Sequence, residues 1–245
     1  MCSLNQKPKL SLDVISNIIK EKAFYTEYQP FISVIDNQIM GYEALARFEI
    51  NNIKFPPDVV FEYAHIDIKL FWELEYAVKI AQFASRPKNS KLFVNFDPHV
   101  LTVKEKINQF FDLFKINNDF TLELIENSHH CINLDAMLAL FRKHNIALAC
   151  DDFFKENSMV SFGILEGCHY IKLDKDILFN IKKNKNFYYL IDGIVKYANL
   201  SQKVVILEGI ESMEDFKIAK QLGVDYVQGF LFRDKFIERR NTVKI

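Results

Sequence analysis

The stretch Ile146-Ala147-Leu148-Ala149-Cys150-Asp151-Asp152 is a short, unbroken apolar run closed by two carboxylates. A strand with one wet face alternates apolar and polar residues, whereas a strand covered on both faces reads as a continuous apolar run. The same form recurs along the chain. Leu92-Phe93-Val94 closes on Asn95, and Val204-Val205-Ile206-Leu207 closes on Glu208. Glu123 lies in Thr121-Leu122-Glu123-Leu124, Lys172 in Tyr170-Ile171-Lys172-Leu173-Asp174, and Gln228 follows Tyr226-Val227. Segments of helical spacing separate these runs, around Val103–Phe114, Leu134–Lys143, Phe187–Tyr197 and Met213–Leu222. About eight strands alternating with helices fit an α/β fold of the (β/α)8 barrel type. A doubly wound open sheet is the runner-up.

The start of the chain is less regular. Ser11–Lys22 has helical spacing, with Ser11 as N-cap. Phe24 to Ile35 and Ile39 to Phe48 are β-rich and flank the turn signal Asp36-Asn37. A hairpin-like pair does not begin a regular barrel. Pro56-Pro57 opens a helix, and a longer one covers Lys69–Phe83. We read residues 1–23 as an N-terminal extension with one helix and residues 24–245 as a single barrel domain. The extension's helix is expected to cover the bottom of the barrel rather than to act as a lid or to mediate self-association.

Composition narrows the function classes. The chain has 245 residues, is 49% hydrophobic and carries a formal net charge of −1. Such a chain buries a core, which excludes a disordered protein. A near-zero charge argues against a broad basic face for DNA. No run approaches the roughly 18–20 apolar residues of a membrane helix. Met1–Lys9 does not read as a signal peptide. Cys2, Cys131, Cys150 and Cys168 show neither metal-ligand nor disulfide spacing. These features together point to a reducing, cytoplasmic compartment with no DNA or membrane partner.

A parallel barrel gathers its strand ends on one face, where barrels carry chemistry. Taken singly, a carboxylate at a strand end is a solvated loop residue or a helix cap. Glu43, Asn95, Glu123, Asp151, Asp152 and Glu208 would gather there together, and the five carboxylates would repel one another unless positive charge sat among them. An all-oxygen set selects hard cations, Mg²⁺ or Mn²⁺ over Zn²⁺. The adjacent aspartates suit two ions a few ångströms apart, an arrangement that favours in-line displacement at phosphorus. Phosphodiester hydrolysis is the chemical reading.

Several stretches occur in order: Tyr28-Gln29-Pro30, Gly41-Tyr42-Glu43-Ala44-Leu45-Ala46-Arg47, Val94-Asn95 and Leu122-Glu123-Leu124-Ile125-Glu126. Asp151-Asp152-Phe153, Ile171-Lys172-Leu173-Asp174, Glu208-Gly209-Ile210-Glu211 and Gln228-Gly229-Phe230 follow. This ordered set resembles the EAL-domain cyclic di-GMP phosphodiesterases over about residues 24–232. The resemblance implies a modified barrel whose first strand is antiparallel, and hydrolysis of cyclic di-GMP to linear pGpG with two Mg²⁺ or Mn²⁺ ions. It implies that Glu43, Asn95, Glu123 and Asp151 hold the first ion. Asp151 would bridge to the second, with Asp152, and Glu208 is a further metal-site carboxylate. Lys172 would orient the attacking water. Gln29, Leu45, Arg47, Asn95 and Gln228 would bind substrate, Arg47 through its phosphate. Glu126 would anchor the loop after Asp152, with Asp174 and Glu211 as supporting carboxylates.

The chain departs from the family after Asp151-Asp152-Phe153. Family members there have Gly-Thr-Gly-Tyr-Ser-Ser; this chain has Phe154-Lys155-Glu156-Asn157-Ser158-Met159. If either glycine position needs positive φ, Phe154 or Glu156 would be strained by about 1–2 kcal/mol. The family loop supports the second metal and the dimer contact, so a homodimer and a protein partner both stay open. The alternative to an active phosphodiesterase is a non-catalytic cyclic di-GMP receptor or protein-binding regulator with a degenerate loop. An unrelated metal-dependent barrel enzyme is the third reading.

Overall fold

The computed structural model describes residues 10–124, 134–155 and 162–240. The chain begins with α1 (Leu12–Glu21), β1 (Phe24–Ser33), β2 (Ile39–Ile50), β3 (Ile53–Phe55), α2 (Pro57–Ala64), α3 (Ile68–Ser85) and β4 (Lys91–Phe96). It continues through α4 (Ile107–Ile116), β5 (Phe120–Leu124), α5 (Leu134–Lys143), β6 (Ala147–Phe153), α6 (Phe162–Gly167) and β7 (Tyr170–Leu173). The last elements are α7 (Asp176–Lys183), α8 (Lys185–Leu200), β8 (Val204–Leu207), α9 (Met213–Leu222), β9 (Tyr226–Val227) and β10 (Ile237–Arg240).

Strands β2 and β4 to β9 run parallel, each beside the next. β1 closes the ring and is antiparallel to both neighbours, β2 and β9. The result is an eight-stranded barrel wrapped by helices, with β3 and β10 as short additions beside β2 and β1. The reversed first strand explains the hairpin-like start. Asn37, at φ +59°, supplies the left-handed residue of that turn.

The direction of β1 also corrects the position of α1. Phe24 at the start of β1 pairs with Phe48 near the end of β2. The Glu49 amide donates to the Ala23 carbonyl at 3.1 Å. The α1–β1 junction therefore lies by the C-terminal end of β2, not at the bottom of the barrel. Ser11 caps α1 by accepting from the Val14 amide at 3.3 Å, and Ile15 and Ile18 are fully buried. α1 packs on α2 and α3.

Two apolar regions hold the barrel. Between sheet and helices, the phenylalanines interlock edge to face. Phe96 lies 5.8 Å from Phe110 and 5.6 Å from Phe141 between ring centroids. Inside the barrel a separate group, Phe31, Phe93, Ala149 and Ile206, is buried completely. Side chains alternate along a strand, so residues two positions on share the interior face. From Phe93, Ala149, Tyr170 and Ile206 that step reaches Asn95, Asp151, Lys172 and Glu208. An apolar floor thus carries a polar layer at the strand ends. Among the described residues, no helix is long and apolar enough to cross a membrane.

Candidate functional site

Lys172 is the centre of the polar layer and is only 1% exposed. Its Nζ donates to Asp151 Oδ1 at 2.7 Å and lies 2.8 Å from Glu123 Oε1 and 2.8 Å from Glu208 Oε1. Glu43 Oε1 is 3.5 Å away. Below, the Phe31 ring faces the ammonium with its centroid 5.9 Å distant. Glu43 on β2 is also gripped by two amides. Asn95 Nδ2 donates to Oε1 at 3.2 Å, and Gln228 Nε2 donates to Oε2 at 2.7 Å. Gln228 Nε2 also reaches Gln29 Oε1 at 3.3 Å. Strands β1, β2, β4, β5, β6 and β7 thus each contribute a residue, and Glu208 and Gln228 directly follow β8 and β9.

Four carboxylates share one ammonium, and the proton affinities of Glu208 and Glu123 show the imbalance. Burial pushes Glu208 up to about 8, against Lys172 and with repulsion from Asp151 and Glu43. Burial likewise raises Glu123 well above the ordinary carboxylate range, with Lys172 opposing and Glu43 and Asp151 reinforcing. Burial alone would lower Lys172, but Asp151, Glu123, Glu208 and Glu43 outweigh it and hold the ammonium charged. Asp152 is raised by burial and by Asp151, against Lys155.

The donor set fits divalent cations. Glu123 is fully buried; its Oε1 faces the Lys172 ammonium at 2.8 Å, and its Oε2 has no hydrogen-bond donor among the described residues. The buried Gln228 Oε1 is likewise without a donor there. Orphaned buried oxygens are costly, and a cation satisfies them. Oxygens of Asp151, Asp152 and Glu208 also come within 4.8 Å of one another.

The remaining residues from the sequence reading fall into place unevenly. Arg47 is paired: its Nη2 donates to Glu27 Oε1 at 2.7 Å, and Gln29 Nε2 donates to the same oxygen at 2.8 Å. Glu27 escaped the sequence reading because its role depends on the register between β1 and β2. Asp174 is buried and accepts from the Asp176 amide at 2.7 Å, starting α7 rather than pairing with Lys172. Leu45, Glu211, Gln29, Glu43, Glu208 and Gln228 line one cavity of about 310 Å³. Glu126 and Glu156 lie outside the described residues.

The loop after Asp152 opens with strain. Phe154 has φ +69°, so the first glycine position of the family pattern does need the left-handed region. Phe154 meets Phe153 edge to face at 4.8 Å and Phe187 at 6.2 Å. The conformational strain and the aromatic contacts are both of order 1 kcal/mol. In urea unfolding, Phe154→Gly should therefore stay near the parent's stability. Phe154→Ala, which keeps the strain and loses the contacts, should fall below Phe154→Gly by about 1 kcal/mol. Equal stability of the two variants would contradict this account.

A family model for the EAL domain matches residues 13–234. The chain belongs to the EAL domain family. Among curated EAL relatives, the cyclic di-GMP phosphodiesterase TpdA of Vibrio parahaemolyticus is 20% identical over 89% of this chain and 38% of its own length. The cyclic di-GMP phosphodiesterase RocR of Pseudomonas aeruginosa is 27% identical over 85% of this chain and 56% of its own length. The chain thus spans less than two thirds of either relative. Among solved structures, an EAL domain protein from Listeria monocytogenes superposes with a TM-score of 0.76, at 21% identity over 91% of this chain and 93% of that one. The YkuI protein of Bacillus subtilis, solved with cyclic di-GMP and calcium, also gives 0.76, at 18% identity over 96% of this chain and 59% of its own. These likenesses agree with the barrel fold described above.

Proposed function

We propose that this EAL domain hydrolyses cyclic di-GMP to linear pGpG with two Mg²⁺ or Mn²⁺ ions, in the cytoplasm. The observation that carries this reading is the convergence of Glu43, Asn95, Glu123, Asp151, Asp152 and Glu208 around Lys172 at the barrel's C-terminal face. Glu43, Asn95, Glu123 and Asp151 would hold one ion; Asp151 and Asp152 would hold the other, with Glu208 beside them. When bound, such ions acidify water and offset charge on phosphoryl oxygens. Lys172 would hold the attacking water with an N–H donor and steady it for approach to phosphorus. One water adds and one P–O bond of the ring opens, which leaves a linear dinucleotide. Arg47 would exchange Glu27 for the substrate phosphate, for which a forked guanidinium is suited. Gln29, Leu45 and Gln228 would line the nucleotide's path.

One observation favours a second reading, a receptor that binds cyclic di-GMP without cleaving it. The Lys155 ammonium is ion-paired with Asp152, on a carboxylate that the second ion would need. The test is incubation of purified protein with cyclic di-GMP in Mg²⁺, in Mn²⁺ and in EDTA. Products are separated by ion exchange, and binding is measured alongside. Metal-dependent pGpG is the expected result. Tight binding without product would replace the enzyme by the receptor, and neither would turn attention to a protein partner.

A further inference from the structure

A second cluster lies outside the carboxylate ring, and the sequence reading did not single it out. His65 sits at the C-cap of α2, Asp97 follows β4, and His99 lies in the 3-10 turn Pro98–Thr102. His65 Nε2 is 2.9 Å from Asp97 Oδ2, and His99 Nδ1 is 2.8 Å from Asp97 Oδ1. One nitrogen of each imidazole therefore faces the same carboxylate. Ligand atoms of all three residues lie within 4.8 Å of one another. The edges of a tetrahedral zinc site measure about 3.3 Å at ordinary bond lengths. The three ligand atoms would have to draw together to reach that spacing.

The groups are also held in place. The His65 ring stacks on Phe71 with centroids 3.7 Å apart, and stands nearly perpendicular to the His99 ring at 84°. The His99 amide donates to Asp97 Oδ1 at 2.9 Å and fixes the carboxylate from below. The three side chains wall a cavity of about 770 Å³, together with the buried Glu75–Lys79 ion pair, joined at 2.7 Å. The side chains of His65 and His99 are 32% and 26% exposed. An ion has a way in, and water from the cavity can fill a fourth position.

We propose that His65, Asp97 and His99 form a binding site for one borderline transition-metal cation of the Zn²⁺ class, with ligands distinct from those of the carboxylate ring, in a cavity that Leu45, Arg47 and Asn95 also line. Two imidazoles and one carboxylate suit Zn²⁺, Co²⁺ or Ni²⁺, whereas the ring around Lys172 offers oxygen ligands and suits Mg²⁺ or Mn²⁺. On binding, each neutral imidazole presents a bare nitrogen to the metal and carries its proton on the other ring nitrogen, so no redox partner is needed.

The test uses the full chain dialysed against micromolar Zn²⁺ in excess Mg²⁺, with metal counted by mass spectrometry of the digested protein. The parent should hold about one zinc ion more per chain than His99→Asn or Asp97→Asn. Glu43→Gln, altered in the ring, should keep that ion. Equal zinc content in the parent and both cluster variants would overturn the proposal. Because either variant could misfold, the parent is also crystallised with Zn²⁺ and its anomalous scattering recorded at the zinc edge. A peak between the three side chains supports the site, and its absence at saturating zinc removes it.

Discussion

Glu43→Gln is expected to lower hydrolysis of cyclic di-GMP by about a hundredfold or more while the barrel stays folded. The carboxamide keeps the volume of the side chain and one acceptor oxygen. It turns an NH₂ toward Asn95 or Gln228, which now donate to Glu43 at 3.2 and 2.7 Å. One lost hydrogen bond costs about 1 kcal/mol. Against that loss, the ring keeps its ammonium and sheds one of four repelling carboxylates, so Glu123 and Glu208 ionise more easily. The two effects oppose each other, and the melting temperature in EDTA should hardly move. The added metal should then stabilise the variant less than the parent, because binding raises stability in proportion to the logarithm of metal over Kd. Turnover at the parent's rate would refute the assignment of Glu43 to the metal site.

The parts of this molecule that could be read early are those set by local pattern. The runs at Lys91–Phe96, Tyr170–Leu173, Val204–Leu207 and Tyr226–Val227 form strands with those bounds. Burial on both faces leaves that pattern on the sequence itself. Asp151, Asp152 and Glu208 were legible for the same reason, since they stand where apolar runs end, whereas Glu43 and Glu123 lie within their strands. β3, α6, α7 and β10 were not anticipated. Ile237–Arg240 is short and charged, and it is a strand because β1 offers it an edge. The helix expected around Val103–Phe114 instead starts at Ile107 after 3-10 turns. The position of α1 was misjudged because it hangs on the direction of β1. Glu27 and the His65–Asp97–His99 cluster depend on register and on the approach of separate segments. No spacing rule in the chain announces either.

Under the proposed function Lys172 would do two separable things in this barrel, and the folding contribution is open to measurement without substrate. Lys172→Met keeps the length of the side chain and its contact with Phe31, but removes the charge. Glu123, Asp151 and Glu208, each within 2.8 Å of Nζ, and Glu43 at 3.5 Å would lose their shared cation. Breaking a buried ion pair by deleting one partner costs about 3–5 kcal/mol. For a domain of this size that amounts to a melting temperature lower by roughly 10 °C in EDTA. The sign of the pH dependence follows from the carboxyls. Glu208 titrates at about 8 in the folded protein against an ordinary 4.5, so its proton stabilises the fold at low pH. That contribution is complete below about 4.5 and is lost as pH rises through about 8. Without Lys172 the carboxyls hold protons more tightly still, so the deficit of Lys172→Met should be smallest near pH 5 and largest above pH 8. Mn²⁺ should restore much of the loss, since a dication takes the place of the ammonium among the same oxygens. A deficit that is equal at pH 5 and pH 8.5, and indifferent to Mn²⁺, would mean that Lys172 supports the barrel by packing alone.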